Sequence, residues 1–112
     1  MQTNIKPLKE LCHNIQAGDI LYNSWGWEQT NIDFYQVVSV TKKTIKIRRI
    51  ASKKTIASKY GERGTTTPLK NQFVEQVITK TPFLLDDVWR VNFKYGSGRQ
   101  WSGEPLYYSS YA

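Results

Sequence analysis

Apolar residues in this chain recur mainly at every second position, in short bursts. Val88–Tyr95 reads VWRVNFKY and sets Trp89, Val91, Phe93 and Tyr95 against Arg90, Asn92 and Lys94. Thr44–Ile50 reads TIKIRRI and alternates Ile45 and Ile47 with Lys46 and Arg48. A repeat of two puts successive side chains on opposite faces of an extended strand. The pattern therefore predicts β-hairpins with one covered face and one wet face. Asp19–Asn23, Ile32–Val40 and Phe73–Thr79 are further short runs rich in β-branched and aromatic residues, the last closed by Pro82. Thr41–Lys43 supplies the turn of the first hairpin, and Gly96-Ser97-Gly98 turns a second one back toward Leu106–Tyr111.

Two stretches break the pattern. Pro7, Leu8, Leu11, Cys12 and Ile15 lie at helical spacing with Gly18 as a stop, which predicts one short helix over Pro7–Gln16. Residues 51–72 lose the apolar alternation, and Pro68 argues against a central strand, so a long mobile loop is predicted there. A chain of 112 residues supports a single core. Five or six short strands, one helix and 13% aromatic residues suit a small mainly β fold, 1–112, in which a strongly curved antiparallel sheet closes on itself. A Src-homology-3 or Tudor-like barrel is expected, with an oligonucleotide-binding barrel as the neighbouring choice.

The net charge is +7, and it is concentrated. Residues 42–63 hold nine Lys and Arg against Glu62 alone, a net +8, whereas 1–41 carry −2 and 64–112 carry +1. Lys46 and Arg48 share one strand face, flanked by Lys42, Lys43, Arg49, Lys53 and Lys54. Cations so arranged neutralise phosphates by counterion release and need no sequence readout. Their simpler role is a solvated face that keeps sheet edges apart. The loop between the first two strands packs Trp25, Gly26, Trp27, Glu28, Gln29, Thr30 and Asn31 into seven positions. Trp25 and Trp27 offer stacking faces, and Gln29 and Asn31 directional hydrogen bonds. The same tryptophans also suit the end of a barrel, and the amides suit loop backbone. Tyr95, Trp101, Tyr107, Tyr108 and Tyr111 form a second aromatic set, for a stacking surface or for packing.

The string SWGWEQTNIDFYQVV over residues 24–38, followed by a basic strand, and the closing WSGEPLYYSSYA resemble a signature of small uncharacterised proteins of bacteriophages, plasmids and other mobile elements. The resemblance covers about a quarter of the chain and implies a phage-like origin; it assigns no activity and no catalytic residue.

Catalytic constellations are sparse. Cys12 and His13 are the only Cys and His, and adjacent residues on a helix do not face one another. No metal-ligand spacing and no phosphate-cradling glycine loop is present in the sequence. The reading is a non-enzymatic binding protein without cofactor or metal, acting on DNA or RNA or on a nucleic-acid-handling complex. An inhibitor of a host defence or replication enzyme is the alternative, and a small basic ribonuclease toxin a more remote one. The single Cys, the absence of a leader pattern and the short apolar runs predict a cytoplasmic protein of a bacterial host, without membrane association.

Overall fold

A computed structural model of the chain describes residues 13–57 and 63–109, and these form one antiparallel sheet. Its strands are β1 (Ile20–Trp25), β2 (Asn31–Val40), β3 (Ile45–Ile56), β4 (Arg63–Phe73), β5 (Ile78–Lys80), β6 (Phe83–Leu85), β7 (Val88–Phe93), β8 (Gly96–Gln100) and β9 (Leu106–Ser109). Their spatial order is β6-β7-β8-β1-β2-β3-β4-β9, with β5 added beside β3. The mainly β, strongly curled antiparallel architecture matches the alternation in the sequence.

Register explains the core. Leu21 faces Tyr35, Val37 faces Ile47, and Ile45 and Ile47 are fully buried with Val91 and Ile15. Trp89, Tyr35 and Phe93 cover this cluster, the last two stacked at 4.4 Å between ring centroids. Phe34 and Ile50 are paired on the opposite face, where the Trp101 ring meets Phe34 edge-on. The curled sheet thus buries side chains on both faces, which a flat sheet of this size without covering helices cannot do.

The helix expected over Pro7–Gln16 falls largely outside the described residues. His13–Gln16, its described part, is not helical, and no helix occurs among the described residues. Local side chains take the backbone donors instead: Ile15 N–H donates to His13 Nδ1 at 3.1 Å and Gln16 N–H to Asp19 Oδ2 at 2.9 Å. The expected loop over 51–72 is corrected. Residues up to Ile56 and from Arg63 are paired strand, with Lys53 opposite Thr67, Lys54 opposite Thr66 and Thr55 opposite Thr65. Polar side chains on both faces of this ribbon leave no apolar alternation, although threonine favours strands. Pro68 is accommodated because it lies beyond Thr66, where β9 pairing ends, and beside a break in the β3–β4 register.

The second hairpin is also shorter than expected. Its turn is Lys94-Tyr95, with Phe93 opposite Gly96, and the returning strand is β8 rather than Leu106–Tyr111. Leu106–Ser109 crosses the sheet to pair with β4. Phe73–Thr79 is likewise not one strand: β4 ends at Phe73, and β5 begins only at Ile78.

Candidate phosphate-binding surfaces on either end of β3

β3 separates from β2 after Ile50 and from Ser52 onward pairs with β4. β9 lies along the other edge of β4 and returns to the foot of β2, where Thr30 and Ser109 exchange backbone hydrogen bonds of 3.1 and 2.9 Å. β2, β3, β4 and β9 therefore close locally into a ring. The opening left where β3 diverges is a cavity of about 240 Å³.

This topology divides the sequence-predicted site residues. Lys42 and Lys43 sit on the β2–β3 turn, and Lys46 and Arg48 lie on the face of β3 opposite Ile45 and Ile47. The turn is held by its threonines: Thr41 Oγ1 accepts from Thr44 N–H at 3.0 Å, and Thr41 N–H donates to Thr44 carbonyl at 2.8 Å. Arg48 is pinned, its guanidinium 4.4 Å from the Phe73 ring centre and its Nε–H donating to the Glu75 carbonyl at 2.8 Å. Lys42, Lys43 and Lys46 side chains are exposed and have no ion-pair or ring partner among the described residues.

The tryptophan loop lies at the other end of β2, ten residues of strand away, or about 30 Å. It does not share a site with the turn lysines. Trp25 takes the packing role that the sequence also allowed: its ring stacks on Tyr95 at 4.9 Å, and its Nε1–H donates to Asp33 Oδ2 at 2.8 Å. Gly26, at φ +134°, turns the chain out of β1 and leaves Trp27 88% exposed at the loop tip. A Cβ on Gly26 would stand 2.5 Å from the Gln29 carbonyl oxygen and 2.8 Å from Asn31 Nδ2, so glycine is required there. Gln29 is half-buried in the same loop.

Arg49 is a correction. Its Nη2 donates to Asp33 Oδ1 at 2.9 Å and its Nη1 to Glu75 Oε1 at 3.0 Å, so this guanidinium is spent within the fold. Burial opposes its charge, but the Glu75 hydrogen bond and the Asp33 and Glu75 carboxylates outweigh that and hold the proton more tightly than usual. Lys53 and Lys54 are consecutive on β3 and project to opposite faces. Lys54 joins Trp25, Asn31 and Arg49 in lining the cavity, its ammonium 4.8 Å above the Tyr108 ring. Tyr108, from the second aromatic set of the sequence, lines it as well, and so does Thr66, which was not singled out there. The threonine run 65–67 was visible, but without register it gave no sign of facing inward.

Tyr35 lies beside the Arg49 ion pairs. Burial, reinforced by the Asp33 and Glu75 carboxylates and opposed by Arg49, pushes its hydroxyl above the usual value of 10.0. The unfolded chain then releases this proton first, so stability is intact below about pH 10 and falls as pH rises through the folded value. Denaturation of the wild type and Tyr35→Phe between pH 8 and 11.5 is expected to show a shallower alkaline loss in the variant. Equal slopes would remove Tyr35 from this account.

Among the described residues no helix is long and apolar enough to cross a membrane, and no three His, Cys, Asp or Glu are grouped to hold a metal ion. In comparisons with known proteins the chain matches no family model, no curated protein and no solved structure.

Proposed function

We propose that this chain is a non-enzymatic nucleic-acid-binding protein of phage-like origin, docking on phosphates through the β2–β3 turn. The observation that carries this reading is the unpartnered state of Lys42 and Lys43 on a turn fixed by Thr41 and Thr44, and of Lys46 at the start of β3 beside it. A turn whose backbone is already fixed loses less entropy on meeting a phosphate than a mobile loop does. Arg48, held over the Phe73 ring and by the Glu75 carbonyl, adds a pre-positioned guanidinium beside them. Contacts of this kind are indifferent to sequence, so DNA and RNA both qualify.

Fluorescence anisotropy with labelled DNA and RNA at low salt tests the proposal. The triple variant Lys42→Ala, Lys43→Ala, Lys46→Ala is expected to bind at least about tenfold more weakly than the wild type. Trp27→Ala, at the opposite end of β2, is expected to bind as the wild type does. Absence of affinity for either nucleic acid, together with stable co-purification of one host protein, would instead favour the protein-directed inhibitor.

A further inference from the structure

The cavity behind β3 is chemically unlike the turn. Thr66 lines it with only 1% of its surface exposed, and its hydroxyl has no hydrogen-bond partner. Asn31 lines it too, and its buried Nδ2 is also unpartnered. Buried polar groups in folded proteins are nearly always satisfied, and of the four buried side-chain atoms without a partner among the described residues, two belong to residues that line this cavity. Lys54, the cross-strand neighbour of Thr66, brings an ammonium to the same cavity.

What remains unspent there is donor capacity. Asp33 is the one carboxylate on the lining, and both its oxygens are engaged, by Arg49 and by the Trp25 indole. A ligand that completes the site must bring acceptors and negative charge. We propose that this cavity binds a phosphate group, carried either by a small phosphate ester or by the end of a nucleic-acid strand. A carboxylate fits less well, because the planar fork that would grip one, Arg49, is occupied by Asp33 and Glu75. Asn31, Lys54 and Thr66 instead bring an amide, an ammonium and a hydroxyl from β2, β3 and β4, separate donors that the several oxygens of a phosphate can accept together. At about 240 Å³ the cavity holds the phosphate and a short substituent but falls below the ~300 Å³ of drug-sized pockets. This site does not depend on the turn lysines.

Titration calorimetry of the full chain with methyl phosphate tests it. Saturable binding is expected, weakened about tenfold or more by Thr66→Val, which keeps the shape and removes the hydroxyl, and by Lys54→Met at the exposed side. Lys42→Ala, Lys43→Ala and Lys46→Ala together are expected to leave it unchanged, which separates this site from the proposed docking turn. Oligonucleotides with and without a 5′-phosphate then distinguish the sources. A preference for the phosphorylated end that Lys54→Met abolishes assigns a strand terminus, and equal binding assigns a small ester. No saturable binding of methyl phosphate, or equal binding by wild type, Thr66→Val and Lys54→Met, overturns the proposal.

Discussion

Gly64→Ala is expected to lower the thermal midpoint by on the order of 10–15 °C, corresponding to about 3 kcal/mol. A Cβ at Gly64 would lie only 2.1 Å from the Thr55 carbonyl oxygen and 3.1 Å from Cε1 of the Tyr108 ring. The first neighbour is strand backbone, which cannot rotate aside as a side chain does, so β3 and β4 must part at the far end of their ribbon. Gly103→Ala supplies the contrast. Nothing lies within 4 Å of its Cβ position, and only its φ of +102° resists substitution, so about 1 kcal/mol is expected. Thermal unfolding of both variants checks the order. A Gly64→Ala protein as stable as Gly103→Ala would show that the ribbon yields where the register says it is tight.

Gln36→Leu is expected to cost about 2–3 kcal/mol. Gln36 is buried at 6% exposure, and its amide closes a ring with Asn71: Oε1 accepts from Asn71 N–H at 2.7 Å, and Nε2–H donates to Asn71 Oδ1 at 2.8 Å. Asn71 has φ +69°, a left-handed conformation that asparagine tolerates better than most residues. The pair thus holds the irregular stretch of β4 between Pro68 and Phe73 against β2. Leucine fills the space but leaves the Asn71 N–H without its acceptor. Asn71→Gly is expected to be milder, since the glycine keeps the backbone donor and suits the left-handed φ. Chemical denaturation of the two single variants and the double variant gives the coupling, and a Gln36→Leu cost below about 0.5 kcal/mol would contradict this role.

These two predictions rest on features that the sequence carries weakly. Alternation made Ile45, Ile47 and Val91 legible as core, and Lys46 and Arg48 as an outward pair, because a strand with one covered face writes its orientation into every second residue. The ribbon formed by the outer halves of β3 and β4 has polar side chains on both faces and left no such record. Arg49 looked like its basic neighbours. Only the register that sets it opposite Tyr35, with Asp33 and Glu75 in reach, turns it into a structural ion pair. Trp25 and Trp27 looked equivalent, and the positive φ of Gly26 separates them into one packed and one exposed ring. The ring closed by Thr30 and Ser109 joins residues 79 positions apart, beyond any local pattern. With it went the cavity and its unpartnered Thr66 and Asn31.

The central claim is that nucleic-acid phosphates are met by Lys42, Lys43 and Lys46 at the β2–β3 turn and not by Arg49, which is engaged within the sheet. Its most direct test is the slope of log affinity against log salt concentration on duplex DNA. Each phosphate neutralised contributes about −0.9 to that slope, so the variant lacking Lys42, Lys43 and Lys46 is expected to be shallower than the wild type by about three. An unchanged slope in that variant would contradict the account.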